Sequence, residues 1–552
     1  MMKDEVYREL QEALGPENVS REPAVLDGYT WQPFTDILGL PDSWCRYRPV
    51  AVVLPGSTGE VQEVVRICGR NGLQFKAMST GWGAWNALGG ENTVQIDLKR
   101  MNRILEIDEK NMYAVVEPLA ICSQLQAEAM KRGLNCHIIG AGCGSSPLAS
   151  ATSLCGYGWS GLTTSYSARN VLGVEWVLPD GEVLRIGTLG QDAGWFNGDG
   201  PGPSLRGAMR GFMGACGGLG VFTRCAIKLF PWPGPEEPQV DGLLIDVTAD
   251  VPDTHAMFLI AFPDLKRWAD AAYHIADAEI GYIMCKNSIG AMAATMIPRG
   301  LKRLTRFPVF KEMLKALRFQ FQFMICARTP REFAYQKAVL EEIVEECEGI
   351  CIDLRKLPEM HGAFWWGFVR AAMPPLIFRM GGTFGTSYGA LEGFDHPAYQ
   401  SQEGARLKAL FTEAGRLMDD LADNSWGGIY EGSTGFGHQE ELYIYDPRDP
   451  EQLEAAEDYL ASTLTDTALK KLGPGLGFAG GAIVAEIFGP LIGDYHEWLR
   501  RIKAAFDPDN VSDPAFYVSP DPEKLIMQEV ELRPRMALNL LAAGQDEKGG
   551  SE

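Results

Sequence analysis

Leu73-Gln74-Phe75-Lys76-Ala77-Met78-Ser79-Thr80-Gly81-Trp82-Gly83-Ala84 reads as a strand that breaks into a glycine turn carrying two hydroxyls. Glycine lets main-chain N–H groups turn toward a diphosphate with no Cβ in the way, and Ser79 and Thr80 add donors. A Rossmann turn would need a third small residue opening a helix. Here the chain runs through Asn86-Ala87-Leu88-Gly89-Gly90 straight into another strand, Thr93 to Leu98, so the turn has no helix dipole behind it. A P-loop is also absent, because no Gly-Lys-Ser/Thr occurs. Two more turns of this kind follow: Gly140-Ala141-Gly142-Cys143-Gly144-Ser145-Ser146 and Cys216-Gly217-Gly218-Leu219-Gly220-Val221. One such turn is commonplace. Three in one half of a chain point to a phosphate-bearing ligand cradled by loops.

Around these turns the first half alternates short strands with capped helices. Ala51 to Pro55 is a compact apolar run. Ser57 with Glu60 then forms a capping box ahead of Val61, Val64, Val65 and Cys68 at helical spacing. Ile104 to Pro118 reads as a hairpin, and Ser123 with Gln126 caps a second helix ending at Lys131-Arg132-Gly133. Val171 to Leu178 and Glu182 to Ile186 form another hairpin about Pro179-Asp180-Gly181, and Gly220 to Phe230 is a last strand. Pro231-Trp232-Pro233-Gly234 breaks the pattern. Beyond it, strands such as Met257 to Phe262 alternate with long helices near 264–278, 330–348, 403–422 and 451–472, an α+β unit with an antiparallel sheet. A helix over 497–506 precedes Asp507-Pro508, and 544–552 reads as a polar tail.

The balance of 50 basic against 72 acidic residues, a net charge of −22 over 552 residues, excludes nucleic acid as the partner. No apolar run reaches the roughly 20 residues of a membrane span, and Met1-Met2-Lys3-Asp4-Glu5 has no apolar core of a secretory signal. Twelve cysteines in so long a chain form no disulfide framework or zinc spacing, and read as reduced thiols of a cytoplasmic protein.

Arg48-Pro49-Val50-Ala51-Val52-Val53-Leu54-Pro55, the Ser79–Ala84 turn, Asp97-Leu98-Lys99-Arg100-Met101-Asn102-Arg103-Ile104 and Ala114-Val115-Val116-Glu117-Pro118 together resemble the vanillyl-alcohol oxidase / p-cresol methylhydroxylase (PCMH-type) flavoprotein superfamily. Asn170 to Gly181, Gly217 to Thr223, and Arg500-Arg501-Ile502-Lys503 with Phe506-Asp507-Pro508 extend the likeness, which covers about 45–235 and 495–518. It implies an α+β fold: a two-lobed FAD-binding domain over 1–235 (first lobe to about 105) and a cap with an antiparallel sheet flanked by helices over 236–490. A segment at 491–525 returns to the FAD domain, and 526–552 is a tail. It implies that FAD is held by Ser79, Thr80, Gly81, Trp82, Gly83, Ala84, Gly144, Ser145, Ser146, Ser150, Thr152, Gly217, Gly220 and Val221. Some relatives bond the flavin to a histidine of the first loop. None stands between Ser79 and Trp85, so non-covalent FAD is expected.

The chemistry implied is hydride transfer to flavin N5 from a CH–OH or benzylic C–H group, with a side chain taking the hydroxyl or phenol proton. Among seven histidines, His438 stands out. In Gly437 to Pro447 a period of two sets His438 and Glu440 on one strand face. Their alternative role is a solvated strand face. In the D-lactate and glycolate dehydrogenase branch this strand carries metal-binding histidines; here Ser433 and Glu440 occupy those positions. A second family segment keeps Glu486 but has Ile487 in place of histidine, so no catalytic metal is expected. Arg379, in an apolar strand-like setting, reads either as a substrate clamp with Tyr388 as proton relay or as half of an internal salt bridge. Phe364-Trp365-Trp366-Gly367-Phe368 could wall an aromatic pocket or be core. Loss of the metal histidines favours an aromatic alcohol as substrate, and the helical extension before Arg48 favours a 2-hydroxy acid. The other reading is a flavin-carrying electron-transfer subunit of a larger redox complex. A basic, aromatic stretch from Arg299 to Arg328 suits either a cap helix facing water or a docking site for an electron-acceptor protein or a membrane surface.

Overall fold

The computed structural model describes residues 2–30, 47–81, 86–153, 156–187, 194, 205, 214–242, 247–287, 312, 316–372, 384–387, 391–418, 425–446, 448–463, 482, 485–486, 489–524 and 526–527. The fold is α+β, with three principal sheets among these residues.

The first sheet has the order Val19–Ser20, Ala51–Val53, Thr93–Asp97, Gln74–Met78, the last three strands being parallel. Helix Thr58–Arg70 connects two of them. Its Val61, Val64, Val65 and Cys68 are buried with Val53, Phe75 and Ile96, as the apolar spacing dictates. The capping box forms with one shift. Ser57 accepts from the Glu60 amide at 3.2 Å, whereas the Glu60 carboxylate accepts from Gly56, one residue before the cap. Because the strands are parallel, the turn after Met78 lies at the carboxyl edge of the sheet, the usual ligand edge of such sheets.

The second sheet is antiparallel, ordered Ile104–Asp108, Tyr113–Val116, Val221–Lys228, Val171–Val177, Val183–Ile186. The helix beside it is Cys122–Met130, capped at Ile121 and so starting two residues earlier than the Ser123 cap suggested. The Gln124 side chain, rather than Gln126, reaches back to the Ile121 amide at 3.2 Å. Helix Tyr495–Phe506 returns to this sheet, where Phe506 stacks on Trp176 with centroids 5.4 Å apart. Residues 511–513 then lie beside Phe75 at the edge of the first sheet.

The third sheet runs in the order Ile350–Asp353, His255–Ala261, Gln320–Cys326, Ile283–Asn287, Ser425–Glu431, Phe436–Ile444, Phe384–Ser387, with Leu391–Gly393 also on Phe436–Ile444. One face is covered by helices Leu265–Asp277, Pro330–Glu346 and Asp395–Glu413, packed on Phe258, Ile260, Phe321, Phe323 and Ile429. The last helix corrects the expected 403–422. Pro397 sits in its first turn, where a missing N–H costs nothing, and Gly415 at φ 72° ends it. The opposite face buries Met257, Ile283 and Met324 against Ile138 and Trp159 of the first half. Trp365 and Phe368 lie in that same core, so much of the 364–368 run is interior packing. Among the described residues, no helix is long and apolar enough to cross a membrane.

Candidate active site

The first glycine turn is described as far as Gly81, whose φ is 64°; Trp82, Gly83 and Ala84 lie outside the described residues. In the second, the hydroxyls divide their work. Ser146 caps helix Pro147–Thr152, accepting from the Ala149 amide at 3.1 Å and donating to the Pro118 carbonyl at 2.5 Å. Thr152 donates to the Leu148 carbonyl at 2.9 Å. Both hydroxyls thus serve the helix. Ser145 differs: its hydroxyl is buried and has no hydrogen-bond partner among the described residues. A buried donor left unmade is costly, so this atom marks a place for a ligand oxygen. Gly144 stands beside it, and Ser150 anchors the helix through its amide to the Ser146 carbonyl.

The third turn is fixed from below by two buried lysines. Lys76, on the strand that leads into the first turn, donates to the Cys216 carbonyl at 2.7 Å. Lys503, on the returning helix, donates to the Gly218 carbonyl at 2.8 Å, the Ser512 carbonyl at 2.7 Å and the Asp507 carboxylate at 2.5 Å. Gly220, at φ 104°, must be glycine for packing, since a Cβ there would collide with the Val177 carbonyl and the Trp176 ring. Val221 is buried and pairs with Val177, and Gly217 has φ 84°. The orphaned Ser145 hydroxyl and the Lys76 and Lys503 tethers make a cradle that fits the diphosphate of a dinucleotide.

Opposite this cradle, strands Ser425–Glu431 and Phe436–Ile444 pair so that Trp426 faces Glu440 and Gly428 faces His438. The alternation holds: Ile429 and Glu441 point to the helix side, where Glu441 meets Lys408 in a buried ion pair. On the other side His438 is 4% exposed. Its Nε2 lies 2.7 Å from Glu440 Oε1 and, facing a carboxylate, donates. Its Nδ1 is buried with no partner among the described residues. Tyr157 stacks on Tyr430 (4.8 Å, 5°) and on His438 (5.5 Å, 28°), while Trp426 meets the imidazole edge-on at 6.1 Å. Gly140 of the second turn lies against the Trp426 ring so closely that a Cβ would clash. The second glycine turn therefore packs against the strand pair that carries His438 and Glu440. Arg379, Tyr388 and most of 299–328 lie outside the described residues.

Sequence reading missed Tyr157, Trp426, Tyr430 and the two lysines. The available signal was Gly156-Tyr157-Gly158-Trp159-Ser160-Gly161, because alternating glycine marks close backbone approach. Gly158 abuts the Ile138 carbonyl and Gly161 abuts Tyr430.

Beneath the aromatic wall, His137 donates from Nε2 to the Gly156 carbonyl (3.1 Å), so its Nδ1 accepts from the Thr164 hydroxyl (2.8 Å). Burial pushes His137 down to about 4, and His255, also buried, down to about 4. Unfolded chains protonate these rings near the ordinary 6.5 while the folded protein resists until about 4. Stability is therefore full above 6.5 and is lost as pH falls toward 4, by roughly 3 kcal/mol per ring. Melting temperature measured across that window should fall steeply, and His137→Gln should flatten the slope by one ring's share. An unchanged slope would count against the buried neutral imidazole.

A family model described as an FAD binding domain matches residues 49–187. With the cradle, this match gives the chain an FAD-binding domain of that class, with FAD as its cofactor. The individual relatives are consistent with that class. The glycolate oxidase subunit GlcD of Bacillus subtilis (strain 168) is 27% identical over 238 residues, covering 42% of this chain and 46% of that protein, so the match spans about half of the relative's length. The probable mitochondrial D-lactate dehydrogenase of Danio rerio is 22% identical over 93% of this chain and 91% of its own. The structure of p-cresol methylhydroxylase with substrate bound superposes with a TM-score of 0.71 at 17% identity, over 94% of this chain and 97% of that one.

Proposed function

We propose that the chain oxidises an alcohol-bearing or phenolic organic molecule, and that an aromatic alcohol suits the site better than a small 2-hydroxy acid. The observation that carries this is the His438–Glu440 pair set in a box of Tyr157, Trp426 and Tyr430. Ser79, Thr80, Gly81 and Ser145, with Trp82, Gly83 and Ala84, would hold the diphosphate, and Gly217, Gly220 and Val221 would face the ring. Bound FAD supplies the hydride acceptor.

The protein's own part is proton handling and exclusion of water. Glu440 holds the Nε2 proton, which leaves the Nδ1 lone pair of His438 as the base that takes the substrate O–H proton. As the imidazole becomes cationic, the Glu440 carboxylate stabilises it, and the stacked rings keep water from that lone pair. Flat walls of Tyr157 and Trp426 bind an aromatic ring by offset or edge contact, which a two-carbon hydroxy acid cannot exploit. Arg379 and Tyr388 are proposed as clamp and relay for the substrate's polar end, from their sequence setting alone.

Anaerobic mixing with benzylic alcohols, alkylphenols, glycolate and lactate tests the reading. Bleaching of the yellow oxidised form should be fast with the aromatic compounds and slow with the hydroxy acids. The reverse order would overturn the aromatic assignment, and no bleaching by any of them would favour a role in electron transfer alone.

A further inference from the structure

Strand Ile283–Asn287 lies two strands from Phe436–Ile444, with Ser425–Glu431 between them. The register sets Asn287 opposite Trp426 and Trp426 opposite Glu440, so these side chains form one row on the sheet face that carries His438. All three are half-buried, whereas Cys285, Gly428 and His438 beside them are buried. Accessible surface therefore runs along the sheet from Glu440 across Trp426 to Asn287. Two buried glutamines hold Asn287 there, Gln320 at 0% and Gln322 at 2% exposure. Gln322 Oε1 accepts from the Asn287 amide at 2.8 Å, and Gln320 Nε2 donates to the Asn287 carbonyl at 2.8 Å. The Asn287 carboxamide is left loosely engaged. Its Nδ2 has a long contact to Gln322 Oε1 and one to the weak acceptor Cys285 Sγ, both at 3.4 Å.

We propose that Asn287 is a specificity-determining residue, binding an uncharged carbonyl or amide at the end of the substrate remote from its alcohol. This rests on the reading that His438 takes the alcohol proton. With strands about 4.8 Å apart and a rise of about 3.4 Å per residue, His438 and Asn287, two strands and two residues apart, are separated by about 12 Å. A hydrogen bond of about 2.8 Å at each end leaves roughly 6 Å, which one benzene ring with polar groups at opposite positions fills. Trp426, standing between the two, offers that ring an aromatic surface. Charge narrows the choice further. The side chains of Asn287, Gln320 and Gln322 are neutral, so a carboxylate or phenolate would be desolvated there without a counter-charge, a penalty that an amide or ketone escapes.

Anaerobic stopped-flow reduction of the FAD-loaded full chain, by para-(hydroxymethyl)benzamide and by para-methylbenzyl alcohol, tests this. The ratio of the two second-order rate constants, amide over methyl, should fall about tenfold in Asn287→Leu and in Asn287→Ala, the worth of one neutral hydrogen bond. Taking the ratio cancels general damage to the site, and comparing proteins cancels the electronic effect of the ring substituent. The two aldehyde products, titrated against the oxidised protein and followed by the flavin absorbance, should show the same loss of preference without turnover. A ratio that is the same in wild type and both variants overturns the assignment of Asn287 and leaves the oxidation of aromatic alcohols standing. If neither alcohol reduces the wild-type flavin, the proposed function falls and this assignment falls with it.

Discussion

His438→Ala is expected to slow reduction by substrate by a factor of roughly 10² to 10⁴, the range a positioned general base contributes, while FAD stays bound. Two features of the site set the size of the effect. The Nδ1 atom is the unengaged lone pair of an imidazole whose other nitrogen is committed to Glu440 at 2.7 Å. It is also buried, with Tyr157 stacked on the imidazole and Trp426 against its edge. Glu440→Gln should cost less, because Gln can still accept from Nε2 but cannot stabilise the imidazolium. Stopped-flow reduction of the anaerobic protein separates these effects from binding, since both variants should remain yellow. A His438→Ala protein that is reduced at the wild-type rate would remove His438 from the proton path, and the aromatic box would then be packing alone.

What could be read from the residues, and what could not, divides along sequence separation. The helix after Ser57 was legible because Val61, Val64, Val65 and Cys68 repeat at its period, and the structure buries those residues together. The face shared by His438 and Glu440 was legible for a similar reason, since a strand's period of two depends only on neighbours. The hydroxyl-rich second turn was read as a phosphate cradle, but the division of labour within it was not legible. That Ser146 and Thr152 are spent on a helix while Ser145 is left over depends on where that helix starts, and capping preferences are nearly equal for neighbouring serines. The box around His438 was invisible: Tyr157 belongs to the first half and Tyr430 to the cap, and no local pattern reports that they stack. The same holds for Lys503, whose contact with Gly218 spans 285 residues. Families preserve such pairings as whole arrangements, which is why the resemblance implied a returning segment when spacing alone could not.

Lys503→Met is expected to be the most damaging single change to the FAD-binding half. Lys503 and Asp507 are 5% and 1% exposed at the side chain, and burial pulls the lysine below its ordinary value against the pull of Asp507. The pair persists because every partner is present. The carboxylate also accepts from the Val511 and Ser512 amides at 2.8 and 2.9 Å, and the ammonium serves two carbonyls besides. Removing the cation leaves Asp507 buried and uncompensated and strips the Gly218 and Ser512 carbonyls of their donor, at a cost of about 3–5 kcal/mol. In the FAD-binding half that corresponds to a melting temperature lower by roughly 10 °C. Because Gly218 lies in the third glycine turn, the loosened turn should also release FAD on gel filtration, which a change in the cap core of similar cost would not. The double variant Lys503→Met/Asp507→Leu discriminates further. With both charges gone the lone buried charge goes too, but the Val511 and Ser512 amides lose their acceptor. It should therefore recover only part of the melting temperature while still shedding FAD, since the carbonyl of Gly218 remains without its tether. A Lys503→Met protein that melts like the wild type and keeps its flavin would mean that the turn is held by Lys76 and the sheet alone, and that the returning helix covers the domain without fastening it.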